Sequence, residues 1–366
     1  MTAEPGTRQL GTASIDRGPR MTAVNGLWTT SVGSFGKPPE LLKARTDHAA
    51  GRIPDEELDR LERAATERWI RFQEEIGVDI LVDGEMYRGD MATYFAEEMA
   101  GFEIGGLVRS YGNRYYRKPI AVGAVRRTHP ITVEWWKYAQ SLTSKPVKGM
   151  LTGPYTIADW SFDEHYGSRR EFVLDLARAI HDEAMDLVAA GARFVQVDEP
   201  AASARMEELP LVAEAMGIVT DGLEAHAITH ICYGDFMRAY PTMLDIPVDQ
   251  IDLEMTNSGF DLLERFQDIP FTKAIGLGVV DVHSHEIESV DDVVRGIKLA
   301  LEVLPADRIF VDPDCGLKTR TVEETEAKMR VIVEGVRRVR EELGIGSELP
   351  EGKPTEGRHR GAPIPA

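Results

Sequence analysis

The sequence predicts an α/β protein built as a single (β/α)8 TIM barrel, with an inserted β-hairpin between the second and third strands and disordered tails. Three observations carry that prediction. Short apolar runs rich in strand formers alternate with longer segments whose apolar residues recur every three or four positions, as in "SVDDVVRGIKLALEVL" and "TVEETEAKMRVIVEGVRRVREEL". The strand-like runs number eight, the count that closes a parallel barrel with helices outside it. A chain of 366 residues with 43% hydrophobic content can also bury one large core.

Taken in order, residues 1–25 carry Gly, Pro and Arg without a hydrophobic period and are expected to be a disordered N-terminal tail. Residues 26–346 form the barrel. Its strands are expected at "WTTSVGSF", "VDILVDGE", "PVKGMLTGP", "ARFVQVDEP", "AITHICY", "QIDLEM", "KAIGLGVVDVHS" and "RIFVDPDCG". Between the second and third of these, "GNRYYR" and "KPIAVGAVRRT" read as the two arms of the hairpin. Residues 347–366 repeat the composition of the first tail and are expected to be disordered.

Composition excludes several function classes. A net charge of −19 argues against a nucleic-acid partner, whose phosphates are met by clustered Lys and Arg. No run of 18 apolar residues exists, so no membrane partner is expected. Two cysteines and no early basic-plus-apolar leader make a cytoplasmic location the expectation.

The polar residues at the ends of the strand runs carry the chemistry. Ser34, Glu85, Asp198, His230, Cys232, Glu254, His283 and Cys315 each stand at or just past the C-terminal end of a run. In such a barrel that rim is where active sites are built. His230 and Cys232 are two apart, so on a strand both side chains share one face. With Glu254 and Cys315 on two further strand ends they make a nitrogen, sulfur and oxygen shell suited to Zn²⁺. The competing reading is that the cysteines are ordinary buried thiols.

The motifs "TTSVGSF", "LVDGEMYRGDM", "GMLTGPYTIADWSF", "VQVDEPA", "HICYGDF", "DLEMTNSG", "GVVDVHS" and "DPDCGLKTR" occur in that order and together resemble the catalytic C-terminal barrel of cobalamin-independent methionine synthases. The similarity runs from about Trp28 to about Leu343. It implies zinc held by His230, Cys232, Glu254 and Cys315, the homocysteine carboxylate near Ser34, and the homocysteine ammonium between Glu85 and Asp198. It further implies that His283 protonates the departing folate nitrogen, with Trp160 against the pterin. The implied activity is methylation of homocysteine to methionine.

Two departures shape the remaining expectations. Only 27 residues precede the first strand run, which matches the single-barrel "core" members of the family and makes a methylcorrinoid, methylcobalamin or a corrinoid protein, the expected donor ahead of methyltetrahydrofolate. The acid that would support His283 is out of register, and Glu214 is the nearest residue to take that role. A zinc-dependent thiol transferase of the epoxyalkane:coenzyme M type and a non-enzymatic zinc-binding protein are the alternatives. The first has no use for acids that bind an ammonium, and the second has none for Ser34, Glu85 and His283 around the metal.

Overall fold

The computed structural model describes residues 24–109 and 115–350. Its strands in chain order are β1 (Trp28–Thr29), β2 (Met99–Arg109), β3 (Tyr115–Arg127), β4 (Gly149–Thr152), β5 (Phe162–Asp163), β6 (Phe194–Asp198), β7 (His226–Ile231), β8 (Gln250–Leu253), β9 (Ala274–Gly278) and β10 (Ile309–Asp312). Seven of them form one parallel sheet in the order β1–β10–β9–β8–β7–β6–β4. Every residue of β4 and of β6 to β10 is buried. Helices cover one face and the barrel interior the other, which is why these strands are apolar runs and not alternating ones.

The sheet closes into a barrel through residues 79–84, the second of the expected runs. This segment makes isolated bridges, Leu81 to Val147 and Ser34 to Gly84, where a full strand was expected. Side chains explain the difference. The Gln73 amide accepts from Val82 N at 2.9 Å and donates to Val82 O at 2.8 Å. Asp79 accepts from both N and Oγ1 of Thr29 at 2.8 Å. Backbone groups satisfied in this way need no ladder partner.

The hairpin also differs from the expectation. Its arms are β2 and β3, which pair antiparallel, and β5 adds a short parallel edge to β3. The described part of "GNRYYR" lies on the same arm as "KPIAVGAVRRT". The true partner, "MAGFEIGGLVR", hides its period because Gly101 sits at φ 97° and the register shifts twice along the pair.

The barrel interior is layered. Trp28, Ile80, Phe194, Ile228, Ala274 and Phe310 form an apolar floor, with the rings of Trp28 and Phe310 5.1 Å apart. Above the floor the interior turns polar at Lys148, Gln196, Asp252 and Asp312, all buried, with Gln196 and Asp312 two residues past Phe194 and Phe310. Asp198, two residues past Gln196, and His230, two past Ile228, both line the cavity at the rim. Outside, the helix Val322–Leu343 starts on a capping box between Thr321 and Glu324 and stops at Gly344 with φ 69°. Its stripe of Met329, Ile332, Val336 and Val339 packs inward.

Asn25 bridges to Gly346, so the two ends of the barrel lie side by side. Residues 347–350, expected within the C-terminal tail, instead continue under the floor. Leu349 packs against it, and Arg193 donates to the Pro350 carbonyl at 2.6 Å. Positions 1–23 and 351–366 of the expected tails lie outside the described residues. Among the described residues no helix is long and apolar enough to cross a membrane.

Candidate active site

Ser34, Glu85, Trp160, Asp198, His230, Cys232, His283 and Cys315 all line one cavity of about 980 Å³ at the rim. The donor atoms of His230, Cys232 and Cys315 lie within 4.8 Å of one another. The two sulfurs are 3.6 Å apart, too far for a disulfide, and both cysteines are free. Sulfurs bound at about 2.3 Å to one tetrahedral ion would stand about 3.8 Å apart. His230 is buried, yet neither of its ring nitrogens has a hydrogen-bond partner. A buried imidazole without partners is costly, and these three side chains therefore fit a thiophilic metal ion.

The electrostatics agree with that geometry. Burial disfavours a charged His230, but the nearby Cys315 sulfur and the carboxylates of Asp198 and Asp252 push it up to about 9. Cys315 is the thiol of the pair that is held low, by the Cys232 S–H directed at it, and Cys232 is correspondingly pushed up.

Glu254 is not in this close group. Its carboxylate accepts from Tyr233 N at 3.1 Å and from Asn257 Nδ2. Tyr233 itself adopts a left-handed φ of 57°, a strained conformation for a non-glycine residue.

Asp198 is fixed through Gln196, whose Nε2 donates to Asp198 Oδ1 at 2.7 Å. Lys148 in turn donates to Gln196 Oε1. Burial raises Asp198 to about 7, although His230 pulls it down. Glu85 stands in the left-handed region at φ 58° and is held by its backbone, with Asp83 accepting from its N at 2.9 Å and Lys37 donating to its O at 2.7 Å. Its carboxylate pairs with Arg88 at 3.4 Å, and the residue lines the cavity. Ser34 is locked by Leu317 N, which donates to its carbonyl at 2.7 Å. A Cβ on Gly316 would fall 2.2 Å from Ser34 Oγ, so a larger residue there would force the Ser34 hydroxyl to another rotamer.

His283 is exposed at the mouth, with Nδ1 3.3 Å from the Tyr233 hydroxyl and the rings 4.9 Å apart. Glu214, expected as its support, is engaged on the outer surface with Arg170 and does not line the cavity. Tyr233 stands in its place. Trp160 is half-buried at the end of the helix Pro154–Asp159. Sequence reasoning missed Tyr233 and Arg88. Their signal was adjacency, since each sits within three residues of a strand-end ligand or acid.

A barrel with its reactive side chains gathered at the C-terminal rim is the architecture of barrel enzymes. Residues 27–337 match the family described as "Cobalamin-independent synthase, Catalytic domain". The chain belongs to that family. A 5-methyltetrahydropteroyltriglutamate--homocysteine methyltransferase of Parvibaculum lavamentivorans is 41% identical over 333 residues, covering 86% of this chain and 43% of that protein. A methionine synthase of Saccharolobus solfataricus is 37% identical over 316 residues, covering 86% of this chain and 95% of that protein. Among solved structures, a B12-independent methionine synthase from Shewanella sp. W3-18-1 in complex with selenomethionine superposes with a TM-score of 0.76 at 27% identity, over 87% of this chain and 99% of that one. The chain thus spans under half the length of some curated relatives and nearly the whole of others.

These matches correct one expectation. The family is cobalamin-independent by description, and the Parvibaculum relative is named for a methyltetrahydropteroyl donor, so the methylcorrinoid donor, whether methylcobalamin or a corrinoid protein, is set aside. The short sequence before the first strand was the wrong feature to read for donor chemistry.

Proposed function

We propose that this chain moves the methyl group of a 5-methyltetrahydropteroyl glutamate to the thiol of homocysteine, giving methionine, with residues 26–346 as the catalytic unit. The observation that carries the reading is the His230, Cys232 and Cys315 cluster inside a cavity that is also lined by the acids Asp198 and Glu85. Those three residues would hold Zn²⁺, with Glu254 as the fourth ligand. When bound, the ion supplies a means of keeping a substrate thiol deprotonated at neutral pH while its sulfur stays electron-rich.

The protein's own residues supply the rest. Asp198 and Glu85 receive the homocysteine ammonium, and its arrival favours the ionised form of Asp198 against the cost of burial. The Ser34 turn receives the carboxylate, rigidly positioned by its bond from Leu317. In the transfer a sulfur–carbon bond forms as the carbon–N5 bond of the donor breaks, and the departing nitrogen takes a proton. His283 at the mouth delivers that proton, oriented by the Tyr233 hydroxyl at its Nδ1. Trp160 offers a flat wall for the pterin. Acids facing the cavity favour an amino-acid thiol over a coenzyme M type of acceptor, which carries no ammonium.

The test is methionine formation from homocysteine and 5-methyltetrahydropteroyltriglutamate, run alongside metal analysis. Turnover with about one zinc per chain is the expected result. Bound zinc with no methionine formed would overturn the activity, and turnover without bound metal would overturn the zinc.

A further inference from the structure

The loop that carries His283 covers residues 281–289, between β9 and the helix Val290–Leu301, and has no regular structure. Just before it the backbone is held by the neighbouring strand end, where Asp314 N donates to the Val280 carbonyl at 3.0 Å. From there to Glu288, among the described residues, no backbone–backbone hydrogen bond ties the loop to the barrel. Side chains hold it instead. Asp281 Oδ1 accepts from His283 N at 2.7 Å, and Glu288 Oε1 accepts from Asp281 N at 2.8 Å. The other oxygen of Glu288, Oε2, accepts from Lys328 Nζ at 2.8 Å, and Lys328 donates as well to the Glu286 carbonyl at 2.5 Å.

Lys328 is the unexpected member of this chain of bonds. It sits among the inward residues of the helix Val322–Leu343, beside Met329, and its side chain is fully buried. Lysine is almost never buried to that degree unless paired, and an apolar residue would cover the barrel here without burying a charge. Both acceptors that Lys328 meets lie on the His283 loop, so the cost of its burial is offset there. A second tie runs from the same helix to the same loop, with His285 Nδ1 2.7 Å from Glu324 Oε1. His285 is 74% exposed in its side chain, and a pair so open to water holds little. The loop is therefore anchored chiefly on one buried cation.

We propose that Lys328 is a positioning residue for His283: acting through Glu288 and Asp281, it fixes the backbone from which the imidazole reaches the cavity mouth. This rests on the proton-donor reading of His283 above. The Tyr233 hydroxyl at Nδ1 orients the ring, yet a single 3.3 Å contact at the ring edge does not fix the main chain beneath it. Proton delivery needs the donor nitrogen within about 3 Å of the departing one, and a loop displaced by about 1 Å lowers the fraction of time spent in that geometry.

The experiment compares Lys328→Met, Glu288→Gln, His283→Ala and the double variant Lys328→Met with His283→Ala, by steady-state kinetics, zinc content and hydrogen–deuterium exchange. Methionine keeps an unbranched, flexible side chain in the buried site, and Glu288→Gln weakens the same link from the loop side without disturbing the helix. Exchange in peptides spanning residues 279–289 should quicken roughly tenfold in Lys328→Met whether or not methionine is formed, while the barrel strands keep wild-type rates. In Lys328→Met kcat should fall by roughly 10–100-fold, with zinc content and the KM of homocysteine unchanged. Glu288→Gln leaves one acceptor oxygen for two donors and should lower kcat about fivefold. In the His283→Ala background Lys328→Met should cost nothing further, because the group it positions is gone. A lysine with a merely structural role would instead add its full loss to that of His283→Ala. Such additivity, an unchanged loop exchange rate in Lys328→Met, or wild-type kcat in both single variants while His283→Ala remains damaging would overturn this proposal alone. A fully active His283→Ala would overturn the proton-donor reading and this one with it.

Discussion

Replacing Asp198 by Asn keeps its shape and removes its charge, and the structure sets the size of the loss. Gln196 Nε2 donates to Asp198 Oδ1, so an asparagine must turn its own oxygen to that bond and its NH₂ toward the substrate. A donor then faces an ammonium. The lost charge-assisted bond is worth about 1.5–3 kcal/mol, or roughly tenfold to over a hundredfold in kcat/KM for homocysteine. The pH profile is a second reading. Asp198 titrates at about 7 because it is buried, and only its ionised form pairs with the ammonium. KM for homocysteine should therefore climb as pH falls below 7 in the wild type, toward about tenfold per pH unit, and this dependence should be absent from Asp198→Asn. Stability should move the other way. The unfolded chain ionises this group near 3.8 and the folded one near 7, so its charge destabilises the fold increasingly as pH rises between those values and fully above 7. Asp198→Asn should thus be the more stable protein at pH 8, by at most about 4 kcal/mol, with no gain at pH 3. Steady-state kinetics across pH and thermal melts at pH 8 and pH 3 check all three. An Asn variant with unchanged KM and the wild-type pH profile would refute the role.

Other outcomes follow from the same geometry. Cys232→Ser and Cys315→Ser should each lose most bound zinc, measured by elemental analysis, since each removes one of only two thiolates; wild-type zinc in both would refute the ligand set. His283→Ala should lower kcat by roughly 10²–10⁴ with little change in the KM of homocysteine, and a kcat within a few-fold of wild type would mean another group supplies the proton. Gln73→Leu strands both backbone groups of Val82 at the barrel seam and should cost about 2–4 kcal/mol of stability in a denaturant melt; a loss under 1 kcal/mol would mean the seam closes without it.

The rim was readable where strand periodicity and strand ends decide position. His230 and Cys232 share a face because period two requires it, and Cys315 and Asp198 lie where apolar runs stop at polar residues. Eight runs also sufficed for the barrel. What stayed hidden depends on contacts between elements. Nothing in "VDILVDGE" announces that Gln73, on a preceding helix, replaces its strand ladder. The bond from Tyr233 N to the Glu254 carboxylate is a tertiary event, as is the meeting of Tyr233 with His283. Lys148 looks like any lysine in sequence, and only the closed barrel makes it the buried cation behind Gln196 and Asp198. Glu214 failed for a simpler reason, since nearness in sequence said nothing about which side of its helix faces the cavity.

The bridge between Asn25 and Gly346 joins the two ends of the barrel beneath the floor, on the far side from the rim. The order in which the chain is threaded is therefore separable from the order in which the strands stand. A short peptide linking those neighbouring positions, with new termini cut elsewhere on the surface, would leave every residue of the catalytic cavity on its own strand end. The same placement means that a domain, tag or surface anchor joined at either position projects away from the substrate entrance, so the protein can be tethered from below while its mouth stays open.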